Sequence, residues 1–200
     1  KQAEAKAATT NARNAETAAF KAHCQNEFFR VCAEYRTAIR AEIVKQYSYW
    51  LEVGTPCDIP QLKTNLLLIQ VPPVKKFIAV YLTPEEMGTI YGGIPKPDYA
   101  AVYVEMMIYA DETFAHFGSD LANKAAAVAH VTQNAALETQ AEIRQVNEDI
   151  ALNTLIATAE TVVIETPKIK RTLVITVVES EGWAKQIMTA FITNLPSLGQ

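Results

Sequence analysis

Cysteine and glycine are scarce in this chain, with three of the former and seven of the latter among 200 residues. Cys24, Cys32 and Cys57 form no C-x-x-C pair and are odd in number, which excludes a disulfide framework of the secreted kind. So few glycines exclude a fibrous repeat. Long apolar runs are missing too. Leu66–Val71, Phe77–Leu82 and Ala100–Ala110 are the longest, and the last contains Glu105, so none supplies the ~20 apolar residues of a spanning helix. Positive charge is in deficit, 18 basic against 22 acidic side chains for a net −4. That argues against nucleic acid as an electrostatic partner. N-x-S/T sequons are lacking as well. The chain starts at Lys1 with no charged-then-apolar leader, which reads as a removed leader or a trimmed start. These features together predict a reducing interior, with a mitochondrial compartment as the first expectation and a virion as the alternative.

What is present is helix. Residues 1–53 read as one long helix. Its second half carries Cys24, Phe28, Val31, Tyr35, Ile39, Ile43, Tyr47 and Trp50 at steps of three and four. Its first half continues the stripe with alanine alone, Ala5, Ala8, Ala12, Ala15, Ala19 and Ala22. Small side chains let another backbone come close, so this face is expected to meet a second helix. Gly54 and Pro56 end the segment. Unbroken, it would be ~80 Å long, against a radius of gyration of about 16 Å for a compact chain of this size. From that mismatch we expect the long helix to need a partner. Its candidate interface is Ala5, Ala8, Ala12, Ala15, Ala19, Phe28, Tyr35, Ile39, Tyr47 and Trp50.

Residues 55–97 hold seven of the nine prolines and read as a connector with two β-like runs, Asn65–Val71 and Phe77–Leu82, on either side of Pro72-Pro73. Thr83-Pro84-Glu85-Glu86 then has the form of a helix start, with Thr at the N-cap, Pro at N1 and Glu at N3. Residues 98–200 read as a helical hairpin followed by a β-hairpin and a last helix. Asp98 opens the first helix, which runs to Phe117 with Gly118 as its stop, and Ser119 or Asp120 opens the second. In the second helix Ala122, Ala129, Ala136, Ile143, Ile150 and Ala157 recur every seven residues and predict a helix–helix seam. Thr161–Ile164 and Thr172–Val178 are β-branched and flank a loop carrying Lys168, Lys170 and Arg171. A final helix is expected over 181–194. The predicted fold class is therefore α+β, helix-dominated, with an extended all-α arrangement as the alternative.

Charge is segregated. Residues 98–166 carry two basic and eleven acidic side chains, whereas residues 1–50 carry eight basic and five acidic ones. Two outcomes fit: neutralisation across a helix packing within the chain, or docking of a basic partner on the acidic helices. Catalytic constellations are not found. There is no G-x-S-x-G, and the glycines of Met87–Pro95 lack both the Walker lysine and the Rossmann spacing. His23, His116 and His130 are scattered. Glu138, Glu142, Glu148 and Asp149 lack the Glu-x-x-His pairs of a bundle metal site. Cys24 and Cys32 read as small buried hydrophobes and Cys57 as the one exposed thiol. No catalytic, cofactor or metal residues are predicted, and no enzyme activity.

Two stretches resemble known families. Glu27–Arg36 looks like the amphipathic stalk helix of b-type peripheral-stalk subunits of mitochondrial ATP synthases. Ala135–Asn147 is similar in composition to podovirus ejection proteins. Each covers under a quarter of the chain, and no residue roles are carried over. The resulting expectation is a non-catalytic structural or accessory subunit of a large multi-protein assembly, first a mitochondrial energy-transducing complex (ATP synthase or respiratory). The alternatives are a virion or secretion-machine structural protein, and a small enzyme or acidic adaptor.

Overall fold

The computed structural model describes residues 2–55 and 57–159 in full, and the backbone alone of residues 160, 164–166 and 169–173. It is helix-dominated. The elements are α1 (Gln2–Val53), α2 (Ile59–Leu67), α3 (Pro84–Gly92), α4 (Tyr99–Ala115), a single turn α5 (Phe117–Asp120), a 3-10 turn (Leu121–Asn123) and α6 (Lys124–Glu160). Ile164–Thr166 and Ile169–Leu173 pair antiparallel as a short ladder. Those few residues do not make a sheet-bearing domain. The α+β class is not supported, and the all-α alternative fits. Most of the expected hairpin over 161–178 and all of the helix expected at 181–194 lie outside the described residues.

The chain divides into two compact units. Unit 2 comprises Phe28–Lys75 and Lys96–Asn147. Its core is built by Tyr35, Ile39, Ile43, Tyr47, Trp50 and Leu51 of α1 against Leu62 and Leu66 of α2. Val102, Met106, Ala110 and Phe114 of α4, Phe117 of α5 and Ala127 of α6 complete it. Ile39, Ile43, Tyr47 and Leu51 are fully buried, and each aliphatic one contributes about 2–3 kcal/mol. The rings of Tyr47, Trp50, Phe114 and Phe117 meet mostly edge to face, with centroids 5.2–6.1 Å apart. Unit 1 comprises Lys1–Glu27, Lys76–Pro95 and Glu148–Gln200.

Local signals set most helix ends. Gly54 adopts φ 75°, and its N–H closes on the Trp50 carbonyl at 2.9 Å, stopping α1. The Lys124 ammonium caps the same end, 3.3 Å from the Glu52 carbonyl. Thr83 and Glu86 exchange both bonds of a capping box at the start of α3. Asp98 accepts from the Ala101 N–H to open α4.

Four expectations are corrected. Asn65–Val71 is not a strand, because Asp58 caps a helix by accepting from the Gln61 N–H, and Leu62 and Leu66 then fall on one buried face. Phe77–Leu82 is not a strand either: its last N–H groups are engaged by Glu16 of α1. The start of α6 is capped not by Ser119 or Asp120 but by Asn123, which accepts from Ala126. Ser119 instead bonds the His116 carbonyl, and Asp120 bonds Tyr47. Finally, the seven-residue seam on α6 does not face inward in unit 2. Ala122, Ala129, Ala136 and Ile143 are exposed, whereas Ala127 and Ala135 are buried and Val131, Thr139 and Glu142 half-buried. Arg36 and Arg40 of α1 select that face by bonding Thr139 and Glu142.

Candidate functional site

In unit 2, Arg36 and Arg40 lie one turn apart on α1. Arg36 grips both carboxylate oxygens of Glu105 on α4 through Nε, at 3.1 and 3.0 Å, and reaches Glu142 on α6 at 3.1 Å. Arg40 is only 5% exposed. Its Nη1 donates to Thr139 Oγ1 at 2.9 Å and to Glu142 at 3.3 Å. Its guanidinium lies 5.5 Å from the centre of the Tyr109 ring, a cation–π geometry. Arg40 Nε makes no hydrogen bond, yet stands 3.4 Å from Glu138 as an ion pair. Burial works against the charge on Arg36, but its two glutamates outweigh that and hold its pKa above the ordinary value. Burial and the Glu138 carboxylate push the Tyr109 hydroxyl up, against the pull of Arg40 and a Thr113 bond. The charge segregation read from the sequence is thus neutralised, at these residues, inside the chain.

Beside this ladder lies an open cleft of about 430 Å³, lined among others by Tyr109, Glu112, His116, Asp120, His130 and Glu138. The turn through α5 brings His116 and His130 to one cavity, although sequence spacing alone had set them apart. Gly118 and the 3-10 turn are the only local hint of that reversal. The cleft's groups are partly engaged already: the His130 ring bonds Asn134 at 3.2 Å, and Asp120 accepts from the Tyr47 hydroxyl. Burial, and then that bond to a carboxylate, raise the Tyr47 pKa beyond the normal tyrosine range. Among the described residues no group of three His, Cys, Asp or Glu side chains could hold a metal ion. Cys57 is half-buried rather than exposed, and burial raises the pKa of all three thiols, which keeps them protonated and weakly nucleophilic.

Unit 1 buries a few apolar side chains, Phe20, Leu82 and Ile94 among them, and adds small and polar groups. Asn153 of α6 donates to the Ala22 carbonyl at 3.1 Å and to Asn26 Oδ1 at 2.8 Å, and Asn26 donates to Thr154. A groove of about 350 Å³ is lined there by Ala15, Ala19, Ala22, His23 and Ala157, with polar neighbours. Of the alanine stripe, Ala22 receives a bond from the chain's own α6, and Ala15 and Ala19 line the groove beside it. Glu16 accepts from the N–H groups of Val80, Tyr81 and Leu82 at 2.5, 2.5 and 2.8 Å. Desolvation acts to raise its pKa, but the three bonds prevail and lower it. Arg13 pairs with Glu86 in the first turn of α3, and Phe77 packs on Phe20 and His23.

The ten candidate interface residues separate cleanly. Ala5, Ala8, Ala15 and Ala19 are exposed and Ala12 is half-buried. Phe28, Tyr35, Ile39, Tyr47 and Trp50 are buried, and the last four belong to the unit 2 core. The apolar face of α1 from Tyr35 onward is therefore covered by the chain's own α2, α4, α5 and α6. Contrary to the expectation from its length, this part of the helix needs no foreign partner to bury its apolar face. No helix among the described residues is long and apolar enough to cross a membrane.

Comparisons with protein families, with characterised proteins and with solved structures give no match for this chain.

Proposed function

We propose that this chain is a non-catalytic structural subunit of a multi-protein assembly. The observation that carries the reading is an exposed apolar pair on α4, on the side away from the core. Val102, Met106, Ala110 and Phe114 fill the core, while Val104 and Ile108, one turn apart on the opposite side, are 58% and 57% exposed. Glu105, Asp111 and Glu112 share the solvent side of α4, so Val104 and Ile108 form an apolar spot with a charged rim, the character of an interaction site. Leu67 and Leu68 at the end of α2, 66% and 76% exposed, add to the apolar surface of the same unit. Ala5 and Ala8 keep an open small-residue face on α1. A mitochondrial energy-transducing complex is the first host to test and a virion or secretion machine the second.

The test is recovery of the tagged full-length chain from its native source, with partners quantified by mass spectrometry. A stoichiometric set of proteins is expected, and Val104→Ser with Ile108→Ser should deplete it while leaving thermal stability unchanged. Recovery of the chain alone, or an unaltered partner set with the double variant, overturns the reading. Salt-sensitive capture of a single basic protein would favour an acidic adaptor instead.

A further inference from the structure

Phe77–Leu82 reads Phe-Ile-Ala-Val-Tyr-Leu, six residues without charge, proline or glycine. Short neutral segments of high β-propensity are the ones that stack into steric zippers, pairing with identical segments of other copies. The flanks carry interrupting residues, Pro72, Pro73, Lys75 and Lys76 before and Pro84, Glu85 and Glu86 after. Within the six residues the sequence offers no such interruption. The structure supplies one from sixty-four positions away. In a strand, the N–H groups of successive residues point to opposite edges, so three consecutive ones cannot converge on a single carboxylate. Glu16 gathers those of Val80, Tyr81 and Leu82, and the chain bends at Val80–Tyr81. Phe77 is drawn onto Phe20 and His23 and Leu82 is buried. Ile78 and Val80 are left 88% and 79% exposed.

We propose that Glu16 is an intramolecular cap that holds Phe77–Leu82 out of strand geometry and so blocks its pairing with the same segment of a second copy of this chain. The second copy is the fitting occupant for two reasons. Zipper interfaces are made by identical segments. In addition, antiparallel pairing would set the basic flank at Lys76 of each copy towards the acidic flank at Glu85 of the other, an attractive cross-strand arrangement. The contact made by Glu16 thus has a dual character: it fastens the segment to α1 and removes its donors from the pairing edge. Native proteins protect unpaired edges with charged groups in this way.

The test compares the full-length chain with Glu16→Ala and Glu16→Gln at neutral pH, following fibre formation by thioflavin T and sequencing the protease-resistant core. Glu16→Ala is expected to shorten the lag at least tenfold, with a core containing residues 77–82. Glu16→Gln keeps one acceptor oxygen and should act more weakly in the same direction. Adding Ile78→Lys to Glu16→Ala should restore the original lag. Val80→Pro separates capping from general loosening, since it loses one bond to Glu16 and also cannot enter a strand. It should therefore form fibres no faster than the unaltered chain. An unchanged lag in a folded Glu16→Ala or Glu16→Gln chain overturns the proposal. So does a core that excludes residues 77–82, or acceleration by Val80→Pro equal to that by Glu16→Ala.

Discussion

The two halves of α1 are held by opposite chemistry. From Tyr35 to Leu51 the helix presents Ile, Tyr and Trp side chains to a packed core. From Ala12 to Asn26 it buries mostly small side chains, Ala18, Ala22 and Cys24, beside Phe20, and directed polar contacts carry more of the fastening: Glu16 to three backbone N–H groups, and Asn26 to Asn153 and Thr154. The first arrangement gains stability from area removed from water, which is non-directional. The second gains it from a few directed bonds, each of which can be lost singly. The same secondary structure can therefore continue through two regions whose stabilities depend on different variables.

Substitutions can break this contrast, starting with the largest effect. Ile43→Ala in unit 2 should cost about 2–5 kcal/mol by leaving a cavity, read by urea denaturation. Deleting directed bonds in unit 1 with Asn153→Ala, which loses those to Ala22 and Asn26, should cost less, about 1 kcal/mol. If the two costs were similar, the contrast would fail. Arg40→Ala removes two charge-assisted hydrogen bonds and the packing on Tyr109, and about 2 kcal/mol is expected. Glu142 keeps Arg36 as a partner, which limits the loss. Tyr47→Phe, which deletes only the hydroxyl bonded to Asp120, should cost about 1 kcal/mol.

The pH dependences sharpen the same comparison, because they run in opposite directions. The folded chain keeps the Tyr47 proton after an unfolded chain, with the ordinary value of 10, would release it. That contribution is complete below pH 10 and is lost as pH rises beyond it. Tyr47→Phe should therefore flatten the alkaline limb of a stability–pH curve. Glu16 behaves inversely: its folded pKa lies below the ordinary 4.5, so its contribution is complete above that value and is lost as pH falls through the folded one. The amide protons of Val80, Tyr81 and Leu82 should lose exchange protection in acid while those of Ile39 and Ile43 keep it. Loss of protection at both places together would show that the two regions do not respond separately.

How much of this was legible in the sequence depends on how far each signal travels. Gly54, the Thr83–Glu86 box and Asp98 act within one turn of chain, and the helix ends they announce are found. Asp58 is equally local and was readable as a cap for Leu62 and Leu66, but the neighbouring Leu and Ile residues read as strand. Phe77–Leu82 has a β-like composition and is overruled by Glu16, a partner no local pattern identifies. On α6 the regular alanines suggested a seam, yet the buried face is selected by Thr139 and Glu142, whose value depends on arginines about a hundred positions earlier. The polar positions that broke the apolar pattern were the informative ones. His116 and His130 were read by their spacing along a helix, and the turn between them makes that measure irrelevant.

Gly54 has a consequence for anyone surveying substitutions across this chain. The position is exposed, so a ranking by burial would class it as permissive. Its φ of 75° strains most side chains, Asn and Asp least, and a Cβ there would lie 3.1 Å from the Lys124 ammonium that caps the helix. In a saturation library position 54 should score with the interior, an intolerant site in full view of solvent.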